Sequence, residues 1–185
     1  MRAFVAMDIT DEVRRRLPRA QQELGAAPAK VTWVPPQNLH VTMKFLGDID
    51  EETVERVKAA MAEAAADAGP IEFDVHGVGA FPPRGRPRVV WAGVSRGGEA
   101  IGVLHDRLER ALRPLGLKRD RRFTPHVTIG RVKSSRGARE LSEMIESRPG
   151  KTYGTCPGAE LVLYKSTLTP QGAEYEAVAR QRLGE

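Results

Sequence analysis

Apolar residues recur along the chain with two different spacings, which predict strands and helices in mixed order. Short apolar or alternating runs mark strands, and apolar positions three and four residues apart mark helices. Strands are predicted at residues 2–9, 31–34, 40–47, 71–81, 88–94 and 125–132, with two or three more in the remainder. Helices are predicted after Thr10 or Asp11, after Asp50, over 101–115 and over 138–145. We expect Pro18 to kink or delay the first helix.

Several of the predicted strands pair as hairpins, and no regular strand–helix–strand succession is present. The strands at 71–81 and 88–94, for example, are joined by a loop of proline, glycine and arginine. This order predicts an α+β fold with antiparallel sheets. A length of 185 residues suits one domain, which we place at residues 1–185.

The net charge indicates what kind of partner the protein binds, and the cysteine content indicates the cellular compartment in which it works. The chain has 29 Lys and Arg against 24 Asp and Glu, a net charge of +5, which fits a polyanion such as RNA. Its one cysteine, Cys156, cannot form an internal disulfide, and a lone thiol is compatible with the reducing cytoplasm, where we expect the protein. No stretch approaches the roughly 18–20 apolar residues of a membrane span, so we expect no membrane association.

The triplet His-Val-Thr occurs twice, at residues 40–42 and 126–128. Each copy stands on a predicted strand and is followed by a branched or aromatic residue, a turn and a helix. Recurrence with matching flanks predicts two related lobes that face each other about a pseudo-twofold axis.

The spacing within each triplet is what makes the repeat chemically informative. Residues i and i+2 of a strand point to the same face, so His40 shares a face with Thr42, and His126 with Thr128. Two facing lobes then bring two imidazoles and two hydroxyls into one cleft. With an ordinary pKa near 6.5, one imidazole can accept a proton while the other donates one. The hydroxyls can donate to phosphate oxygens, where charge builds in the transition state. This set predicts phosphodiester cleavage without a metal.

A zinc site is the other functional interpretation of two histidines. It would require a third ligand, and none recurs with the repeat, so we expect no metal and no cofactor. The remaining histidines, His76 and His105, are interpreted as packed or surface residues, and His105 fits the apolar stripe of the third helix.

These motifs resemble the two-histidine (2H) phosphoesterase superfamily. Within it, the chain is most similar to the RNA 2′,3′-cyclic phosphodiesterases, also called 2′-5′ RNA ligases or LigT-like proteins. The likeness extends over nearly the whole chain, at residues 2–6, 33–47, 81–82, 90–93, 123–131 and 164–168. It implies a bilobal fold in which two antiparallel sheets line a central groove, with helices packed outside.

The resemblance also implies an activity, the metal-independent hydrolysis of a terminal 2′,3′-cyclic phosphate of RNA to a 2′-phosphate. It implies that His40 protonates the departing O3′ and that His126 activates water. A 2′-5′ RNA ligase, a phosphodiesterase for another small cyclic nucleotide, and a non-catalytic RNA-binding module are the alternatives. We expect the protein to be a monomer.

Three further residues are candidates for substrate contact. Arg131 matches a family arginine that contacts phosphate; strict alternation turns it away from the cleft, but a strand end or bulge at Gly130 would redirect it. Lys44 has the alternation for the cleft, although a surface lysine is an equal alternative. Phe123 can stack on a base or pack in the core. Ser166 matches the family but has no role that we can assign.

Overall fold

A computed structural model describes residues 1–184, in which nine strands form one sheet and four helices pack against it. The elements are β1 Arg2–Asp8, α1 Asp11–Leu24, β2 Val31–Trp33, β3 His40–Asp48, α2 Glu51–Ala65, β4 Ile71–Phe81, β5 Val89–Val94, α3 Gly98–Leu112, β6 His126–Val132, α4 Ala138–Glu146, β7 Thr152–Gly158, β8 Glu160–Thr169 and β9 Gly172–Arg182. The predicted α+β class is confirmed, and the hairpin β4–β5 lies where the sequence placed it.

The two strands that begin with the His-Val-Thr triplets lie side by side at the centre of the sheet. The strand order is β7-β4-β5-β6-β3-β1-β8-β9, with β2 paired to β6, and all the pairings within residues 1–184 are antiparallel. Three more strands follow outward from β6 and three from β3, and the two halves meet at the single pair Val41–Val127. The two sheets implied by the resemblance are therefore the two halves of one continuous sheet.

Side-chain caps determine where the first two helices begin. The side chains of Thr10 and Asp50 each accept a hydrogen bond from the backbone N–H three residues later, at 3.4 and 2.8 Å. These bonds satisfy an N–H group that has no partner within the helix. The expected delay of the first helix is wrong, because α1 begins at Asp11 and continues through Pro18.

One hydrophobic core lies between the helices and one face of the sheet. The valines of both triplets, Val41 and Val127, are fully buried in it together with Leu17 of α1 and Leu104 of α3. Burial of a side chain of this size contributes roughly 1.5–3 kcal/mol. Because this face of β3 and β6 is packed, the histidines and threonines are directed to the opposite, open face. No helix within residues 1–184 is long and apolar enough to cross a membrane.

Both central strands contain a β-bulge three residues after the histidine. The pairing of β3 with β1 has an extra residue on β3 at Met43 and a second register shift further on at Leu46, and the pairing of β6 with β5 has an extra residue on β6 at Ile129. An extra residue in a strand reverses the alternation of side chains beyond it. The two bulges therefore decide which later side chains of each strand face the histidines.

Candidate active site

A groove of about 550 Å³ lies on the open face, over the joint between β3 and β6. Its size is typical of small-molecule sites. Thr42 and Phe45 of β3 line it from one half of the sheet, and His126, Thr128 and Arg131 of β6 line it from the other. The structure thus brings Thr42 of the first triplet together with His126 and Thr128 of the second. His40 does not line the groove itself, and its Nε2 adjoins the groove through Thr42, whose Oγ1 lies 2.9 Å away.

The two imidazoles have equivalent hydrogen bonds at Nδ1. Nδ1 of His40 lies 2.8 Å from the carbonyl oxygen of Asn38, and Nδ1 of His126 lies 2.6 Å from that of Thr124. A carbonyl oxygen only accepts, so each Nδ1 holds the hydrogen and each neutral ring keeps its lone pair on Nε2. Nε2 is therefore the nitrogen that is available for proton transfer in both residues.

Aromatic rings hold each imidazole in place. His40 stacks on Phe4 with ring centroids 4.8 Å apart, and the edge of Tyr175 meets it at 5.6 Å. His126 meets Phe81 edge-on at 5.0 Å. These contacts restrict rotation of the two imidazole rings. They also shield the rings from water, which makes the charged imidazolium form less favourable.

Burial lowers the pKa of His40 to about 4 and also lowers the pKa of His126. The carbonyl acceptors at Nδ1 oppose this effect at both rings, and the carboxylate of Asp8 further raises the pKa of His40. The cation of Arg131 lowers the pKa of both. In the free protein, both rings are neutral at pH 7. An anion in the groove would favour an imidazolium, because it supplies the missing counter-charge.

Both threonine hydroxyls face the groove. Oγ1 of Thr42 lies 2.9 Å from Nε2 of His40, and since Nε2 of the neutral ring only accepts, the hydroxyl is the donor. Thr128 borders the groove beside His126. A hydroxyl rotates freely about its C–O bond, so each can donate to a phosphate oxygen instead once a ligand is bound.

Arg131 reaches the groove because of the bulge in β6. The extra residue at Ile129 reverses the alternation and turns the arginine to the histidine face. The predicted redirection is confirmed, with the bulge one residue before Gly130. That glycine is itself required, because a Cβ there would lie 2.7 Å from the ring of Trp33. In the part of the chain that the structure describes, no carboxylate pairs with the guanidinium.

Lys44 does not lie where strict alternation placed it. The bulge at Met43 turns its side chain inward, where it is only 2% exposed although its stem borders the groove. Nζ donates to the carboxylate of Glu109 and to the carbonyl oxygen of Lys118 at 2.6 Å, and it lies 3.3 Å from Asp120. The ammonium thus donates two hydrogen bonds and forms ion pairs with two carboxylates, away from the histidines. We therefore assign Lys44 a structural role instead of the expected contact with substrate.

Phe123 packs against the core, one of the two roles expected of it, while its stacking on a base stays a prediction. It borders the groove, and one face of its ring stacks on His105, with centroids 3.8 Å apart and planes 3° apart. His105 is 3% exposed, in agreement with its interpretation as a packed residue. Ser166 lies half-buried on β8 opposite Tyr175, and no contact there suggests a role.

One group of side chains within residues 1–184 has ligand atoms close enough for a metal ion. His105, Glu109 and Asp120 place theirs within 4.8 Å of one another. The ammonium of Lys44 already contacts both carboxylates and offsets one of their two negative charges. The catalytic candidates His40 and His126 are not members of this group.

Phe45 is a groove residue that sequence reasoning missed. It is 63% exposed, and it stands five residues after His40 just as Arg131 stands five after His126. Both side chains turn into the groove beyond a bulge. The matched spacing after the two triplets is the signal by which Phe45 could have been found.

Comparisons with known proteins agree with this geometry. The family model described as "LigT like Phosphoesterase" matches residues 7–91 and 93–175, one triplet in each segment. An RNA 2′,3′-cyclic phosphodiesterase of Archaeoglobus fulgidus is 37% identical over 176 residues, which cover 95% of this chain and 97% of the relative. One of Methanothermobacter thermautotrophicus is 35% identical over 175 residues, covering 95% of each. A crystal structure of a Thermus thermophilus protein matches with a TM-score of 0.82 and 28% identity, covering 100% of this chain and 98% of that one.

Proposed function

This chain belongs to the LigT-like phosphoesterases, and on that premise we propose that it hydrolyses 2′,3′-cyclic phosphate ends of RNA to 2′-phosphate ends. The observation that carries the proposal is the matched pair of imidazoles, each with its Nδ1–H fixed to a carbonyl and its Nε2 available. The relatives named for this activity match nearly the full chain.

Two proton transfers accompany the displacement at phosphorus. Nε2 of His126 takes a proton from water as the water oxygen bonds to phosphorus. The bond from phosphorus to O3′ breaks, and Nε2–H of His40 gives its proton to O3′. The products are a 2′-phosphomonoester and a free 3′-hydroxyl, after which proton exchange with solvent restores both rings. Acid–base catalysis of this kind contributes roughly 10²–10⁴-fold per group.

The charges around the rings support this division of roles. Asp8 lies opposite His40 in the β1–β3 pairing and acts to raise its pKa, against the lowering effects of burial, Arg14 and Arg131. Of the two rings, only His40 has a carboxylate beside it that favours the imidazolium an acid needs. The charged neighbour of His126 is Arg131, which lowers the pKa of His126 and so favours the neutral base. Burial opposes the imidazolium of His40 in the free protein. The negative charge of a bound phosphate stabilises that cation, so we propose that His40 carries its proton once the substrate is bound.

Thr42, Thr128 and Arg131 are proposed to bind the non-bridging phosphate oxygens. Their donors converge on one groove from both halves of the sheet. Charge-assisted hydrogen bonds from a guanidinium are stronger than those from a neutral donor. Both hydroxyls can donate to the phosphate oxygens on which negative charge develops in the transition state. One chain supplies all of these groups, so we propose that the protein acts as a monomer, and its lone buried Cys156 fits a cytoplasmic protein.

RNA as the substrate is supported by the basic loops at the groove. Pro83 and Arg122 border the groove and belong to loops that also carry Arg84 and Arg121. Within residues 1–184 these arginines have no acidic partner, so their charge is free to attract a phosphate backbone. Comparing rates on a cyclic-phosphate oligonucleotide and on a cyclic mononucleotide tests this part of the proposal.

The decisive experiment is product analysis with purified protein, EDTA and an RNA oligonucleotide that ends in a 2′,3′-cyclic phosphate. We expect a 2′-phosphate end. Absence of product would refute the proposal, and a 3′-phosphate end would mean that O2′ leaves instead. His40→Ala and His126→Ala should each lower the rate by roughly 10² or more, whereas a non-catalytic RNA-binding module would keep its function in both variants.

A further inference from the structure

The loop at residues 117–125 leads into β6 and forms one wall of the groove. It has no helix or strand of its own. It carries Phe123, which borders the groove, and Thr124, whose carbonyl oxygen accepts the Nδ1–H of His126. The orientation of one catalytic candidate therefore depends on a segment that only contacts with other elements can hold in place.

Three residues of β3 and α3 make those contacts. Lys44 of β3 donates to the carbonyl oxygen of Lys118 at 2.6 Å and lies 3.3 Å from the carboxylate of Asp120. Glu109 of α3 accepts from the backbone N–H of Asp120 at 3.4 Å and also pairs with Lys44. Nε2 of His105 lies 3.4 Å from the other oxygen of Asp120. The loop is thus joined to both β3 and α3.

The sequence of the loop makes Asp120 the point of attachment. It is the only acidic residue in the run from Lys118 to Arg122, whose other members are cations. Lys44 and Glu109 are nearly inaccessible to water, with side chains 1% and 9% exposed. A shift of the loop would take the carbonyl oxygen of Lys118 away from the buried ammonium of Lys44, and a buried donor without an acceptor is unfavourable. The charge cluster therefore specifies one position of the loop.

We propose that Lys44, Glu109, Asp120 and His105 are positioning residues for His126. They hold the loop so that the carbonyl of Thr124 keeps the imidazole in the tautomer with its lone pair on Nε2. The stacking of His105 on Phe123 holds the same wall at a second point. This inference rests on the proposed function, in which Nε2 of His126 accepts the proton.

His40 provides an internal reference because its carbonyl partner is anchored differently. Asn38 lies in a 3₁₀ turn, and its side chain donates to the carbonyl oxygen of Ala173 at 2.7 Å. None of the four positioning residues contacts Asn38. A change in the charge cluster should therefore affect His126 and leave His40 as it was.

Asp120→Asn is the most direct perturbation. It leaves Lys44 paired with Glu109 and removes the charge that attaches the loop, at a side chain that is 39% exposed and also borders the groove. Imidazole ¹⁵N shifts at pH 7.5 should show Nδ1–H for both His40 and His126 in the native protein. In the variant we expect mixed tautomers at His126 only. Because misplacement of a catalytic group by about 1 Å can cost 10²-fold, kcat on cyclic-phosphate RNA should fall about tenfold or more.

Asp74→Asn is the matched control, because Asp74 is a 22% exposed carboxylate that is ion-paired to Arg96 away from the groove. It should change neither kcat nor the His126 signals. The double variant Lys44→Met with Glu109→Gln removes both buried charges together and is used if Asp120→Asn does not fold. It should reproduce the effect on His126.

Native tautomer signals and native kcat in either folded loop variant would overturn the inference. Those results are distinguishable from failure of the proposed function, which would appear as a native protein that produces no 2′-phosphate. In that case the ¹⁵N spectra still decide whether the charge cluster orients His126.

Discussion

The free energy of unfolding should fall more steeply with acid in the native protein than in a His40→Asn variant. Burial lowers the pKa of His40 from near 6.5, its value in an unfolded chain, to about 4 in the folded protein. Between those values the unfolded chain binds a proton that the folded protein does not hold. Stability is therefore lost as the pH falls from 6.5 towards 4, and this contribution to the loss levels off below 4.

The two pKa values determine the size of the effect. At about 1.36 kcal/mol for each tenfold change in proton affinity, the complete loss is ~3.4 kcal/mol. At pH 4.5, where the titration is incomplete, the loss from His40 is about 2.5 kcal/mol. Small domains unfold with roughly 5–15 kcal/mol, so this one side chain would remove a measurable part of the stability.

Guanidinium unfolding at pH 7.5 and pH 4.5 measures the effect in both proteins. The asparagine does not titrate, and its Nδ2 can replace Nδ1 as donor to Asn38. All other groups titrate in both proteins, so the difference between the two losses isolates His40. Replacing chloride by phosphate at pH 4.5 and equal ionic strength should restore stability to the native protein more than to the variant. Equal losses in the two proteins would refute the view that burial keeps His40 neutral in the free protein.

Three further predictions concern single side chains. Thr128→Val should lower kcat about tenfold or more with little change in KM, because its hydroxyl acts on charge that builds in the transition state; steady-state kinetics with unchanged kcat would contradict this. Arg131→Ala should raise KM about tenfold or more and Arg131→Lys less, because lysine keeps the charge but loses the bidentate geometry; equal KM values in all three proteins would argue against phosphate binding. Gly79→Ala should lower the free energy of unfolding by about 1–3 kcal/mol, because its Cβ would lie 2.2 Å from the ring of Trp91; an unaltered thermal midpoint would show that the strand yields freely.

Features that act over a few residues could be predicted from the sequence. The caps at Thr10 and Asp50 and the alternation before each bulge depend on neighbours along the chain, so the helix starts and the His–Thr pairs followed from local patterns. The bulges depend on how β3 and β6 pair with β1 and β5, which neither strand specifies alone. For that reason the side chain of Lys44 lies on the opposite face from the one that strict alternation predicts. For Arg131, the family resemblance and the expected strand end or bulge at Gly130 supported a place in the groove, against strict alternation.

The matched bulges at Met43 and Ile129 also constrain how such a chain can change in length during evolution. Deleting either residue would restore regular alternation and move the side chains that follow it to the other face. On β6 such a deletion would withdraw the guanidinium of Arg131 from the groove while leaving the His-Val-Thr triplet intact, so motif searches would not detect the loss. If the two lobes descend from one ancestral half, the simplest history places the bulge before the duplication. The divergence of the fifth residue into Phe45 and Arg131 then came afterwards, giving one ancestral position two different chemistries.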